Sequence, residues 1–426
     1  MAIIVLFVAC DNGNNNTHVH DWGEWIITKE PGITEDGEET RTCKLDSSHT
    51  EKRPIPKIVP YENIDEIIEF LSKQPGGITA NDPIPLFVAI NMGTMTEETS
   101  GWQLLLNAIA QSDKFVALDL SACLMNGTEF DPITTISTGK NRIVEIVFPD
   151  TAESIKGVYP SPAFGSSSPL RSFNGKGLAS IGTSIFYRCQ NLKMTSLPKS
   201  ITVIDSYAFN NSGIEEIILH EGIISIGMGA FGNNNNLRRI SLPNSLENAG
   251  VYQFSGCSNL EEVTMSANLT SIYNSNFNGC TSLVSFVLRG TGALSTVLDG
   301  RALVRNGNEL VAYPSATGIV SLPENITRIG SDSFSGCVGL TELILHDGII
   351  SISGGNYGVF SGCNNLYKVT LGTIVANNWI DPNTAGGGGN FPGNLHDVYF
   401  ADGGGAGTYI TTRTGNGSDN PVWIKQ

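Results

Sequence analysis

At 426 residues the chain has room for two or three domains, and 48 glycines beside an ordinary 40% apolar content describe a folded, turn-rich protein. The formal net charge of −16 speaks against nucleic acid, which selects basic faces, and against anionic membrane surfaces. Such a charge supports solubility without identifying a partner.

The chain opens on an apolar run, Ala2 to Ala9, too short to span a bilayer. Small Ala9, then Cys10, then Asp-Asn-Gly-Asn-Asn-Asn-Thr resembles a bacterial lipoprotein signal peptide, which makes Cys10 the lipidated first residue of the mature chain. No Lys or Arg precedes the run, so the positively charged start of such a signal is missing. A buried first strand is the other reading, and the polar run after Cys10 serves it poorly. Residues 1–17 are read as signal and polar tether.

Residues 18–58 hold a small module with His18, His20, Trp22, Trp25, Cys43, His49 and Pro54-Ile55-Pro56. It is similar to a short β-hairpin module of treponemal surface proteins in which a C-x-x-C pair is usual. Here Lys44-Leu45-Asp46 follows Cys43, and the second cysteine is absent. Zinc prefers four ligands, which His18, His20, Cys43 and His49 could supply. A lone cysteine with flexible flanking histidines is more often not a metal site, so no metal and no cofactor is expected.

From Tyr61 to Ser72, Ile64, Ile67, Ile68 and Leu71 fall at helical spacing with acids between them, and Pro75-Gly76-Gly77 ends the helix. A strand follows over Leu86–Ile90, a second helix over Trp102–Ala110 and another strand over Phe115–Ser121. Ile143 to Phe148 is a strand closed by Pro149. Residues 59–173 are read as an α/β N-terminal cap whose strands grade into a repeat array, because an end repeat otherwise exposes its core.

From residue 174 to 372 one pattern recurs, L-x-x-I-G-x-x-x-F-x-x-C-x-x-L-x-x-[IV]-x-L-P. Ile181, Ile204, Ile226, Ala249 and Ile272 step by 22 or 23 residues, and Phe186, Phe209, Phe231, Phe254 and Phe277 keep the same steps. The pattern returns at Ile329/Phe334 and Ile352/Phe360. A fixed period of this size means a solenoid, each repeat burying its apolar edge against its neighbours. Short alternations such as Ile240-Ser241-Leu242 read as half-buried strands, and Pro198, Pro243 and Pro323 close them. The Ile-Gly half is too short for a regular helix and predicts a second short strand with a tight turn. Cys189, Cys257, Cys280, Cys337 and Cys363 share one column, which Asn211 or Ser212 and Asn235 fill in two other units. They are expected to be buried and reduced, since free cysteine behaves as a small hydrophobe.

These Ile-Gly, Phe, Cys, Leu and Leu-Pro positions resemble the BspA-type, or Treponema pallidum-type, leucine-rich repeat over seven units from Leu178 to Leu371. The resemblance implies a curved right-handed solenoid, mainly β with short helical or 3-10 turns. Its best-known members are bacterial surface proteins that bind host matrix or serum proteins and other bacteria.

The period breaks between Leu288 and Ile329, where a hairpin near residues 291–320 is expected inside one turn. Residues 373–426 are read as a degenerate last unit, at Phe391, Leu395 and Val398-Tyr399-Phe400, with a tail anchored by Tyr409 and Trp423.

Catalytic signals are weak, with no nucleophile elbow, phosphate-binding loop or H-E-x-x-H motif. His220-Glu221-Gly222 and His346-Asp347-Gly348 sit where other repeats carry the strand-closing turn, so no catalysis is assigned to them. A hydrolase using Asp299, Arg301 and Glu309 in the inserted hairpin is the remaining enzymatic reading. The positive signal is the outward row Ser196, Ile218, Ser241, Thr264, Val287, Ile344 and Thr370, with Arg239 in the row beside it. β-branched residues suit strands anyway, yet three aliphatics in that row suggest an extended protein-binding surface. No aromatic cluster marks a sugar-stacking or hot-spot site. The expected protein is therefore not an enzyme but a lipid-anchored adhesin or scaffold on the bacterial surface, with a periplasmic envelope scaffold as the alternative.

Overall fold

The computed structural model describes residues 20–29, 31, 35–57, 59–133, 139–159, 163–165, 168–246, 248–269, 272–353, 358–373, 393–401, 405–411 and 421–426. Cys10, His18 and Phe391 lie outside these. The chain forms two units, Met1–Glu62 and Asn63–Gln426.

In the first unit Ile26–Lys29, Gly37–Thr42 and Thr50–Ile55 make a three-stranded antiparallel sheet, one strand more than the expected hairpin. Arginine and tryptophan interleave on it. Arg41 lies 5.0 Å over Trp22 and 4.7 Å over Trp25, and Arg53 lies 4.2 Å over Trp25. A guanidinium on an indole face contributes about 0.5–1 kcal/mol at an exposed site.

The second unit begins with α1 (Ile64–Lys73), whose Asn63 side chain accepts the Glu66 N–H at 2.9 Å. α2 (Gly101–Ser112) is capped by Ser100 and buries Trp102, Leu105, Leu106 and Ile109. The strands Ile84–Phe87, Val116–Asp119, Ile143–Val147 and Ser172–Asn174 pair in parallel. A parallel ladder therefore runs well ahead of residue 174.

Each later turn carries two strands. The two-residue strands of the Ile-Gly halves pair in register, Ile155 with Ile181, Ile204, Ile226 and Ala249 in succession. The strands before the Leu-Pro positions, Glu216–Ile218, Arg239–Ser241, Glu262–Ser266 and Ser285–Arg289, form a second parallel sheet. One residue per turn at each column, with adjacent strands about 4.8 Å apart, makes every column a continuous stack. Phe186, Phe209, Phe231, Phe254 and Phe277 stack with centroids 5.4, 5.4, 6.4 and 5.8 Å apart, and all are buried.

Two left-handed corners flank this spine. Two residues before the aromatic, Ser184, Tyr207, Gly229, Tyr252 and Asp332 have φ of 57–59°. Two residues after it, Arg188, Asn211 and Asn233 give way to Gly256, Gly279, Gly336 and Gly362, all at positive φ. At Gly336 the backbones also approach closely, since a Cβ there would lie 3.2 Å from Gly279 Cα. The Cys thiols reach back one turn. Cys257, Cys280 and Cys363 donate to the carbonyls of Phe231, Phe254 and Phe334 at 3.1 Å. Burial pushes the Cys257 thiol pKa up to about 12. In the other two turns the column is filled by Ser212 and by Asn234, not Asn235, and both are buried.

The insertion differs from a simple hairpin. Leu294–Val297, Ala302–Arg305 and Glu309–Ala312 form an antiparallel meander whose last strand pairs in parallel with Arg328–Ile329. Leu310 thus joins the Ile column. Tyr313 takes the Phe position, 6.0 Å from Phe334 and accepting the Cys337 thiol at 3.1 Å. Gly318–Ser321 then pairs with Leu340–Leu345, which completes a shortened turn hidden inside the break.

At the far end, α3 (Leu395–Ala401) stands where a repeat strand was expected. Leu395 and Tyr399, four residues apart on one helical face, are buried, and the Tyr399 hydroxyl donates to Gly372 O at 2.7 Å. Gly407–Thr411 pairs antiparallel with Lys368–Leu371, and Trp423–Lys425 with Gly407–Thr411. Tyr409 and Trp423 are buried there. Reversing strand direction ends the parallel ladder.

Candidate protein-binding face

The Leu-Pro strands alternate buried and outward residues, so their outward positions line one face by construction. Ile218, Ser241, Thr264 and Val287 are register partners across four strands, and Ser196 bridges to Ile218 at the near end. Ile218 is 58% exposed, Val287 40% and Ile344 39%, while Ser241, Thr264 and Thr370 are half-buried. The row is not continuous. Ile344 and Thr370 pair in a separate sheet beyond the insertion, and Thr370 Oγ1 lies 3.1 Å from Thr408 Oγ1 on the tail strand.

The adjacent row is charged. Glu216, Arg239, Glu262 and Ser285 are register partners, and Ser285 Oγ donates to Glu262 at 3.4 Å. Lys193 pairs with Glu215 at 3.0 Å, one column further along. Lys193, Met194, Thr195, Glu215, Glu216, Arg238 and Arg239 line a recess of about 410 Å³. Three cations and two carboxylates in one recess can meet charged side chains of either sign. Repeat spacing placed Arg239 beside the outward row; the doublets Glu215-Glu216 and Arg238-Arg239, one period apart, are the sequence signal for its charged neighbours. Beyond the insertion Lys368 pairs with Glu342 at 3.0 Å, and this contact, with the Tyr367 hydroxyl, holds the Glu342 carboxyl below its ordinary pKa.

The other candidates do not gather into sites. Asp299 and Arg301 sit at one end of the inserted hairpin, whereas Glu309 sits at the other and faces Arg305 at 3.4 Å. In the first unit Cys43 is buried, His20 stacks on Trp22 at 4.6 Å and His49 lies edge-on to His20 at 4.9 Å. Among the described residues no three His, Cys, Asp or Glu side chains are placed to hold a metal.

The two His-acid-Gly segments are staples between turns. His220 Nδ1 accepts the Gly222 N–H at 3.1 Å, so Nε2 carries the proton and donates to Pro198 O at 3.0 Å in the preceding turn. His346 repeats this with Gly348 at 3.0 Å and Pro323 at 3.1 Å. Glu221 reaches the other way, accepting the Asn244 N–H at 2.8 Å. Both ring nitrogens are occupied by the backbone, which leaves neither imidazole placed as a general base.

A family model described as the BspA type leucine rich repeat region matches in six copies, over residues 138–210, 158–284 and 313–379. No curated protein matches the chain. Among solved structures, a leucine-rich repeat protein from Bacteroides ovatus is 25% identical over 57% of this chain and 59% of its own, with a TM-score of 0.43. A T. pallidum leucine-rich repeat protein is 23% identical over 40% of this chain and 78% of its own, with a TM-score of 0.34. The pneumococcal vaccine antigen PcpA is 18% identical over 82% of this chain and 71% of its own, with a TM-score of 0.42. The chain thus spans less than two thirds of the Bacteroides protein.

Proposed function

The chain belongs to the BspA-type leucine-rich-repeat family, and from that membership we propose that it is a protein-binding solenoid tethered to the bacterial surface by lipid on Cys10. In this reading it is an adhesin or interaction scaffold whose partner is a host matrix or serum protein, or another bacterial surface protein. The observation that carries it is the outward row. Ile218, Val287 and Ile344 keep aliphatic side chains in water on strands whose alternate residues already fill the core. Ile218 and Val287 share one sheet and Ile344 stands in the sheet beyond the insertion; exposed aliphatics on such outward rows mark an interaction surface, and the mixed-charge recess beside Ile218 adds polar specificity at its rim.

The test is the paired substitution Ile218→Lys with Ile344→Lys. Both positions are exposed, so unfolding should shift by no more than about 0.5 kcal/mol each. Capture of immobilised matrix and serum proteins should fall at least tenfold, since two apolar contacts become charges that must be desolvated. Retained capture with unchanged folding would place the partner elsewhere on the molecule.

A further inference from the structure

A row of aromatic side chains runs along the corner next to the Phe spine, in a different part of the turn from the strand face. Tyr159, Tyr187, Tyr207 and Met228 come from four successive turns, and Tyr252 holds the Tyr207 position two turns further on. Tyr159 lies 4.8 Å from Tyr207 and 6.5 Å from Tyr187, and the Tyr207 hydroxyl donates to Met228 Sδ at 3.0 Å. Tyr159 is 54% exposed and Met228 40%. No aromatic cluster was expected from the sequence.

The Tyr207 ring lies over Gly229 of the next turn, where an added Cβ would come within 2.8 Å of it. Tyr207 and Tyr252 hold φ of 57° and 59°, in the corner that Gly229 occupies in the turn between them. A bulky side chain in the left-handed region is an outlier, and strain of this kind concentrates where it serves function. What tyrosine places there, and glycine does not, is a partly exposed phenol ring.

The ring type indicates the ligand. Aromatic faces carry negative potential and attract guanidinium and ammonium groups. The row already holds one, since the Arg188 guanidinium sits 5.0 Å over the Tyr187 ring. Asp205, two residues before Tyr207, stands where Gly182 and Gly227 stand in the flanking turns. Burial raises its carboxyl pKa, an effect that a bound cation would oppose. The net charge of −16 draws a basic partner toward the whole molecule. We propose that the Tyr159–Tyr207–Tyr252 row binds arginine and lysine side chains of a basic, extended segment of a partner protein. This rests on the protein-binding reading and names the chemistry of the partner.

The test is binding of labelled nona-arginine to the full chain at about 0.15 M salt, where generic attraction is screened beyond about 8 Å. Tyr207→Gly with Tyr252→Gly is the informative variant, because glycine adopts this corner freely and the protein should fold at least as well. Binding should weaken about tenfold in that variant, and less than twofold in Ile218→Lys with Ile344→Lys. That second variant separates the two surfaces: lost capture of matrix proteins with nona-arginine binding retained leaves the tyrosine row standing. Unchanged binding in the tyrosine variant would reduce the attraction to net charge and overturn the proposal. So would saturable, tyrosine-dependent binding of a neutral oligosaccharide with none of nona-arginine, which would make the row a glycan platform.

Discussion

Phe254→Asp is expected to lower the unfolding free energy by roughly 5 kcal/mol. Phe254 is fully buried between Phe231 at 6.4 Å and Phe277 at 5.8 Å, with no cation in the spine to pair with a carboxylate. The loss joins a cavity of nearly ring size to the cost of burying an ionisable group, which would protonate rather than stay charged. In a solenoid each turn is held only by its neighbours, so a defect in the middle divides the array into two weakly coupled blocks. Urea unfolding followed by circular dichroism should therefore lose both its midpoint and its single transition. Limited proteolysis should cut near the defect. A midpoint and slope equal to those of the wild type would mean that the Phe column does not form the core.

Asn234→Ala is the second large effect, about 4 kcal/mol. Asn234 is buried and satisfies four groups at once. Its Oδ1 accepts from Ser212 N at 2.6 Å and Ser212 Oγ at 2.8 Å. Its Nδ2 donates to Phe209 O at 2.9 Å and Phe231 O at 2.7 Å. Alanine removes all four bonds, and although Phe231 O keeps the Cys257 thiol, each of the other buried groups left without this partner costs about 1–3 kcal/mol before relaxation. Asn234→Cys should fall between wild type and alanine, because a thiol at this column donates to the preceding Phe carbonyl, as Cys257 does, while Ser212 still loses its acceptor. Thermal denaturation of the three proteins checks the order. If alanine proved as stable as wild type, the asparagine would not be the joint between these turns.

The spine was legible because the Phe and Ile columns repeat at near-constant spacing, and spacing is what stacking requires. Tyr409 and Trp423 were legible for a different reason, as large apolar residues in an otherwise polar tail, and both are buried. Spacing failed wherever a position changes its chemistry while keeping its geometry. Tyr313-Pro314 lacks the Phe-x-x-Cys signature, so a whole shortened turn passed as part of a hairpin. Asn234 does by amide hydrogen bonds what Cys does with a thiol, and a one-residue slip in a run of four asparagines hid it. Leu395 and Tyr399 are spaced for a helix, but lie close enough to the decaying repeat to be read as its last strand. On the strand face, alternation identified which residues point outward, yet not that the insertion splits the row. The tyrosine row had a sequence signal only in retrospect: a left-handed corner is invisible until its φ is measured, and without it Tyr207 and Tyr252 are two ordinary aromatics.

Surface tethering is tested most directly by protease shaving of intact cells expressing the native chain, with Cys10→Ala as control. The account predicts digestion of the wild type on intact cells, and release of the Cys10→Ala protein from the membrane fraction. Complete protection of the wild type until the outer envelope is opened would place the chain in the periplasm and contradict the adhesin reading.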